Sequence, residues 1–297
     1  MYSIPTFLFL LSTFVYETKR GKTNRRKETW RWRTLWEVVL MACTKIFDFK
    51  NKRIINKEKY DYLLIKDYLI NNLDSLFGVK LIGVNFCLST NTLSNDNYRA
   101  QILGLDQEYK LTIFEFRKDK YGTLITNSFM MIDYIKEHVG IVKTLIKDKV
   151  PESDFSNINY NARLIVIGED FSEIDNYALK QTPYEVDLIA CNIFNNNLVI
   201  NKMYSSFKVR IDNYDLLMKN KLFSKLHNDI MDLSSEINAV GSNNFINYRS
   251  IKNFCFVLIS NEIKIYIRNN NKLNNYILNN DNYYELLELI KKAYEEN

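Results

Sequence analysis

Apolar positions recur at helical spacing over residues 58–77, where Ile65, Leu69, Leu73 and Leu76 fall on one face and Gly78 is placed to end the element. The spacing then shortens. KLIGVNF (80–86) predicts a strand, STNTLSNDN (89–97) a polar loop, and AQILGL (100–105) a second strand. A turn over 106–110 leads into LTIFEF (111–116), and a connection that short makes the two strands a hairpin. Helical spacing returns over 123–137 through Ile125, Phe129 and Ile132, and a further helix over 139–148 stops before Pro151. RLIVIG (163–168) is a continuous apolar run of the buried-strand type, Ser172 and Asp175 have capping-box spacing, and EVDLIAC (185–191) is another strand before a turn at NNN (195–197). Strands alternating with helices in this order predict an α/β fold with a mixed sheet and helices on its faces.

The pattern weakens over 203–220, and a domain boundary is expected there. Beyond it lies a helix over 222–237 with Phe223, Leu226, Ile230 and Leu233 on one stripe, then strands at 253–259 and 262–268. An Asn-rich loop (269–282) and a helix over 283–294 follow, the helix acidic at its start with Lys291 and Lys292 late, which suits its dipole. The expected organisation is a mixed-sheet domain over 41–205, a linker over 206–221 and a small α+β domain over 222–297. No internal repeat is visible.

Charge changes the picture at one place. The whole chain of 297 residues carries +5, but residues 1–40 hold eight Lys/Arg against three Glu, so residues 41–297 are net neutral. All three Trp (Trp30, Trp32, Trp36) lie in the same forty residues, whereas Asn occurs there once and 36 times afterwards. The apolar run at 2–16 falls short of the roughly 20 residues that span a bilayer, and it lacks a signal peptide's basic start and cleavage site. We therefore expect residues 1–40 to be an extension of foreign composition ahead of a start at Met41, and no membrane span in residues 41–297. Neutrality over those residues also argues against tight non-specific binding of nucleic acid, which needs a basic surface.

Cys43, Cys87, Cys191 and Cys255 are each more than forty residues apart, without CxxC or Cys/His pairing, so a zinc site is unsupported and a reducing, cytoplasmic interior is expected. His138 and His227 are the only histidines, each within a helical pattern, too few for a His-based triad or a three-His metal site.

One constellation carries chemistry. The hairpin YRAQILGLDQEYKLTIFEFRK (98–118) ends in Glu115, Phe116 and Arg117, and alternation on a strand puts Glu115 and Arg117 on one face. A carboxylate and a cation at a strand end suit metal-assisted phosphodiester chemistry, although alone they are more often a solvated pair. From about Leu64 to Met203 the chain resembles a family of the PD-(D/E)xK nuclease-like superfamily, related to NucS-type endonucleases. The resemblance runs through NNLDSLFGVKLIG (71–83), the R-x-x-x-L-G-L-D run at 99–106, FEFRK (114–118), NSFMMIDYIKEH (127–138) and RLIVIGEDFSEIDNYAL (163–179). Residues 222–297 resemble the C-terminal domain of unknown function that accompanies this family.

The resemblance implies a restriction-endonuclease-like core and a Mg²⁺-dependent site, but the motif is degenerate here. Where the family has G-R-I-D, I-E-Y-K and a helix-starting Gln, this chain has Gln101 as the first acidic position, Glu115 and Arg117 in the second strand, and Asn127. The upstream helix position that is often Glu falls at Ile70. Gln101 offers a neutral oxygen where a carboxylate should face the metal, and Mg²⁺ is held mainly by carboxylates. Arg117 stays protonated and cannot be a base. Asp106 lies five residues from Gln101, and Asp96 and Asp119 sit in loops. The expectation is a nuclease-fold protein that cuts nothing and serves as a nucleic-acid-binding (DNA or RNA) or accessory protein. Arg99, Arg117 and Lys118 are its phosphate-facing candidates, Glu115 is its one possible metal ligand, and it needs no cofactor. Two alternatives are an active endonuclease that uses Mg²⁺ at Glu115 with a migrated carboxylate, and a protein-interaction module working through residues 222–297.

Overall fold

The computed structural model describes residues 46–48, 50–89, 98–118, 124–207, 209–211, 214–242, 245–260, 262–269 and 272–296. Residues 1–40 and the expectation attached to them lie outside that set, as do Asp96 and Asp119. The chain forms two compact units, residues 1–56 and 57–297. In the first, β1 (Ile46–Asp48) and β2 (Arg53–Ile55) pair antiparallel, and Asp48 Oδ1 accepts from the amides of Lys50 and Asn51 at 3.0 Å to hold the turn.

The second unit is built on two six-stranded sheets. The first runs in chain order through β3 (Val79–Cys87), β4 (Arg99–Asp106), β5 (Lys110–Phe116), β6 (Asn159–Gly168), β7 (Glu185–Phe194) and β8 (Asn197–Ser205). It is mixed: β5, β6 and β7 are parallel, and the other pairs are antiparallel. The predicted helix over 58–77 begins later and is broken once, into α1 (Tyr62–Asn71) and α2 (Leu73–Phe77). Asp61 sets the start by accepting the amides of Leu63 and Leu64, and Gly78, at φ 63°, ends α2 in the left-handed region that glycine tolerates best. Next come α3 (Leu124–Glu137), α4 (Val139–Ile146), the short α5 (Glu152–Phe155) and α6 (Glu173–Lys180), whose capping box at Ser172 and Asp175 is formed as the spacing predicts.

Alternation along the strands divides the core into two layers. One face buries Leu103, Leu105, Ile113, Leu164, Val166 and Leu188 against Met131, Ile132 and Ile135 of α3 and Val142 and Ile146 of α4. The other buries Ile102, Phe114, Phe116, Ile165, Ile167 and Ile189 under Ile65, Leu69, Leu73 and Phe77 of α1 and α2.

The second sheet has the order β9 (Val209–Ile211), β10 (Asn238–Ser242), β11 (Phe245–Arg249), β12 (Asn253–Ile259), β13 (Ile263–Asn269) and β14 (Lys272–Ile277), antiparallel except for the β9–β10 pair. Residues 206–221 thus supply β9 and the short α7 (Tyr214–Leu217) to this part of the molecule. Two long helices, α8 (Lys221–Asp232) and α9 (Tyr283–Glu295), cover one of its faces through Phe223, Leu226, Ile230, Leu286 and Ile290. His227 is buried in α8 between two tyrosine hydroxyls, Tyr214 at 3.2 Å and Tyr248 at 2.9 Å.

Several elements correct the sequence reading. Seven strands are not among those the sequence reading predicts: β1, β2, β8, β9, β10, β11 and β14. The Asn-rich stretch expected as a loop contains β14, an edge strand whose residues are mostly exposed and therefore free to be polar. The helix expected to reach 237 ends at Asp232. The Asn195–Asn196 pair, both at positive φ (50° and 63°), makes the tight hairpin turn into β8.

The sheets meet through a buried charge cluster. Arg163 and Asp187 lie two residues before Ile165 and Ile189, and Lys202 pairs opposite Ile189, so all three continue the apolar face under α1 and α2. Arg163 Nε donates to Asp187 Oδ2 at 2.9 Å, Lys202 Nζ lies 3.3 Å from Asp187 Oδ1, and Lys110 Nζ lies 2.7 Å from Glu185 Oε2. From the second sheet, Arg249 donates to Glu185 Oε1, Ser250 O accepts from Lys202 Nζ at 3.0 Å, and Asn253 Nδ2 donates to Glu108 Oε1 at 2.7 Å. Ile251 packs on the apolar layer beside them.

Burial alone would raise the Glu185 carboxyl, but Arg249, Lys110 and Arg163 outweigh it and hold it down at about 2. Its folded-state value is depressed, so the stability it contributes is present above its ordinary 4.5 and is lost as pH falls toward 2. Removing one member leaves buried charge without its partner, which costs about 3–5 kcal/mol. Arg249→Ala is therefore expected to lower unfolding stability by that amount in urea titrations and to flatten the acid limb of the stability–pH curve. An unchanged midpoint would show that the cluster does not join the sheets.

Candidate functional site

The β4–β5 ladder pairs Leu105 with Leu111 through Ile102 with Phe114 and stops there. The next amide of β4, Gln101 N–H, donates instead to the Glu115 side chain, 3.0 Å from Oε1. β5 goes on pairing with β6, Glu115 opposite Val166 and the Arg117 amide donating to Ile167 O at 2.7 Å, while β4 goes on pairing with β3, Ala100 opposite Phe86. The two strands part at Gln101 and Glu115, and the Glu115 carboxyl sits in the opening, 5% exposed. Gln101 also points its side-chain amide back toward Phe116 O, at 3.5 Å.

Burial is the main influence on Glu115 and pushes its carboxyl up to about 7, while the Gln101 amides and the Lys66 ammonium act in the opposite direction without outweighing it. Lys66, on α1, is the cation whose charge bears on this carboxyl, and it donates to Asn85 Oδ1 at 3.2 Å. Partial burial lowers the Lys66 ammonium from its ordinary value, with Glu115 opposing the change. Asn85 holds a positive φ of 49° on β3, and its carbonyl accepts from Arg99 Nη1 at 3.0 Å. Lys118 is exposed, with its ammonium 5.3 Å from the centre of the Tyr62 ring. Three cations, Lys66, Arg99 and Lys118, thus lie on α1, at the start of β4 and just after β5.

Arg117 has a different partner from the one its spacing suggests. Its guanidinium meets Asp175 of α6, Nη1 to Oδ1 at 3.1 Å, and lies 5.5 Å from the Phe171 ring centre. Asp175 also closes the α6 capping box, so it fixes a helix start and a strand end together. Ile70 is half-buried against the apolar layer, and it is Lys66, one turn earlier on α1, whose charge bears on Glu115. Asp106 caps the far end of the hairpin, its Oδ1 accepting from the amides of Glu108 and Lys110 at 2.9 Å each. Asn127 lies in α3, but its side chain is outside the described set.

These donors fit a divalent metal poorly. Among the described residues no three His, Cys, Asp or Glu side chains converge, and Glu115 is accompanied by an amide and an ammonium where Mg²⁺ needs further carboxylate. Lys66 and Asn85 were not legible as site residues. Their only sequence signal is a lone cation on α1, next to Asp67, and a residue whose φ no pattern announces.

The Glu115 shift has a checkable sign. Its folded-state value lies above its ordinary 4.5, so the neutral form favours the fold below about 4.5, and that contribution is lost as pH rises to about 7. Glu115→Gln, which cannot ionise, is expected to be more stable than the parent above pH 7, by up to about 3 kcal/mol, with the difference vanishing near pH 4.5. Chemical denaturation across pH 4–8 reads this directly, and a difference constant with pH would contradict it.

No helix among the described residues is long and apolar enough to cross a membrane. The chain matches no protein-family description and no curated protein. Among solved structures it is similar to a chain in the structure of an EndoMS–dsDNA2 complex, at 13% identity and a TM-score of 0.26, over 46% of this chain and 50% of that one. The chain thus spans half the length of that protein, and a likeness this distant assigns no role to any residue here.

Proposed function

We propose that this chain is a nuclease-like protein that binds nucleic acid without cleaving it, residues 41–205 forming the nuclease-like domain and 222–297 its C-terminal companion. One observation carries the reading. Where β4 and β5 part, the buried Glu115 carboxyl accepts from the Gln101 amide, and Lys66 is the cation whose charge bears on it. An ammonium attracts a phosphodiester without polarising a water for attack, so binding is retained and hydrolysis is not. Arg99 and Lys118, at the rim, are the phosphate contacts of this reading. Arg117, engaged by Asp175, positions the strand end.

Purified protein should leave labelled single-stranded DNA, duplex DNA and RNA uncut in millimolar Mg²⁺ or Mn²⁺. Arg99→Ala and Lys118→Ala should each weaken binding by fluorescence anisotropy and reduce the salt slope by about 1. Metal-dependent cutting that disappears in Glu115→Ala would instead establish an active endonuclease. Binding indifferent to both cations would remove nucleic acid from this site.

A further inference from the structure

Arg268 of β13 stands apart among the groups that the second sheet brings to the first. Arg249 pairs with Glu185, Asn253 donates to Glu108, and Lys252 Nζ donates to Ser75 O at 3.1 Å. Arg268 has no such contact. Its Nε is buried without a hydrogen-bond partner among the described residues, and its guanidinium rests 5.6 Å from the Phe256 ring centre. Asp74 and Glu108 are the carboxylates whose charge bears on it, and neither forms an ion pair with it.

Arg268 lines a cleft of about 240 Å³ together with Asp74 of α2, Lys80 of β3, Gln107 of the turn after β4 and Asp154 of α5. Pockets for drug-sized ligands start at about 300 Å³, so this one suits a smaller molecule. Some of its polar groups are already engaged. Lys80 Nζ lies 3.2 Å from Asp154 Oδ2, and Asp106, also in the wall, gives its Oδ1 to two hairpin amides. Others are not. Asp74, in the first turn of α2, forms no ion pair with any described residue, and Gln107 Oε1 is buried without a partner among them. Gly78 makes room for Gln107, since a Cβ there would come within 2.7 Å of its Nε2. Among the described residues, the cleft thus presents a cation, a carboxylate and an amide oxygen that are all unpaired. No three carboxylates among those residues converge to hold a metal.

We propose that this cleft binds a basic α-amino acid, at a site separate from the Glu115 opening and not dependent on that reading. The ligand carboxylate accepts from the Arg268 guanidinium, whose planar fork suits such a pair, and the α-ammonium donates to Asp74 and to Gln107 Oε1. A zwitterion satisfies both walls together. A simple anion would leave Asp74 without a counter-charge, and a simple cation would leave Arg268 without one. The walls set Asp74, Asp106 and Asp154 against Lys80 and Arg268, so acidic groups outnumber basic ones and a ligand side chain with a further positive charge is favoured over a neutral or acidic one. Because Arg268 comes from the second sheet and Asp74 from α2, a bound ligand also strengthens the docking of that sheet.

The experiment is isothermal titration calorimetry of the full chain with L-lysine and L-arginine, beside L-glutamate and cadaverine, which is lysine without its carboxylate. One saturable site per chain is expected for the two basic amino acids, with cadaverine and L-glutamate each weaker by about tenfold or more, since a charge-assisted hydrogen bond contributes at least that factor. Asp74→Asn and Arg268→Met should each weaken L-lysine binding by a similar factor. Asp74→Asn alters an exposed helix position, so it keeps the test available if Arg268→Met does not fold. L-Lysine should also raise the urea midpoint of the parent, and raise it less in Asp74→Asn. The absence of saturable heat with either basic amino acid in the millimolar range would overturn the proposal. So would cadaverine binding as tightly as L-lysine, a preference for L-glutamate, or L-lysine affinity unchanged in Asp74→Asn, which would place any binding elsewhere.

Discussion

Four cations and two carboxylates taken out of water together hold the larger unit in one piece. Lys110, Arg163, Lys202 and Arg249 converge on Glu185 and Asp187, and Arg249 comes from the other sheet. Desolvating such groups is expensive, and only dense mutual pairing offsets it. Asp187 shows how dense: Arg163, Lys202 and the Ser205 hydroxyl all reach its two oxygens. The arrangement is demanding in geometry, so it selects one docking of the second sheet over sliding alternatives that hydrophobic contact alone would tolerate.

That docking determines where the candidate site is. The cluster occupies the N-terminal ends of β5, β6 and β7, at Lys110, Arg163 and Glu185, while Glu115 lies toward their C-terminal ends, opposite Val166. Parallel strands gather ligands beyond their C-terminal ends, and the candidate site lies toward that end while the charge cluster fills the other. The opening is positioned by α1, which delivers Lys66, and by the Asp175 anchor on Arg117. Its carboxyl accepts from the Gln101 backbone amide.

Much of this was legible in the sequence where local patterns carry it. The hairpin of β4 and β5, the buried β6 and β7, the capping box at Ser172 and the closing helix all follow from spacing and capping chemistry. What escaped was whatever depends on contact between distant segments. β8 carries Lys202 inward, so its alternation looks broken until Asp187 and Arg249 are seen beside it. β14 is an edge strand with little to bury, and its asparagines read as loop. Gln101 and Glu115 could be paired from the hairpin register, but Arg117 finds its partner 58 residues away, and Lys66 meets Asn85 across a helix–sheet interface that no local periodicity encodes.

The central proposal is that the Glu115 site binds no divalent metal. Titrating the full chain with Mn²⁺ and reading free ion by electron paramagnetic resonance asks this without reference to any substrate. The account predicts no saturable site through the low-millimolar range, in the parent and in Glu115→Ala alike. A stoichiometric site in the parent that disappears in Glu115→Ala would contradict it.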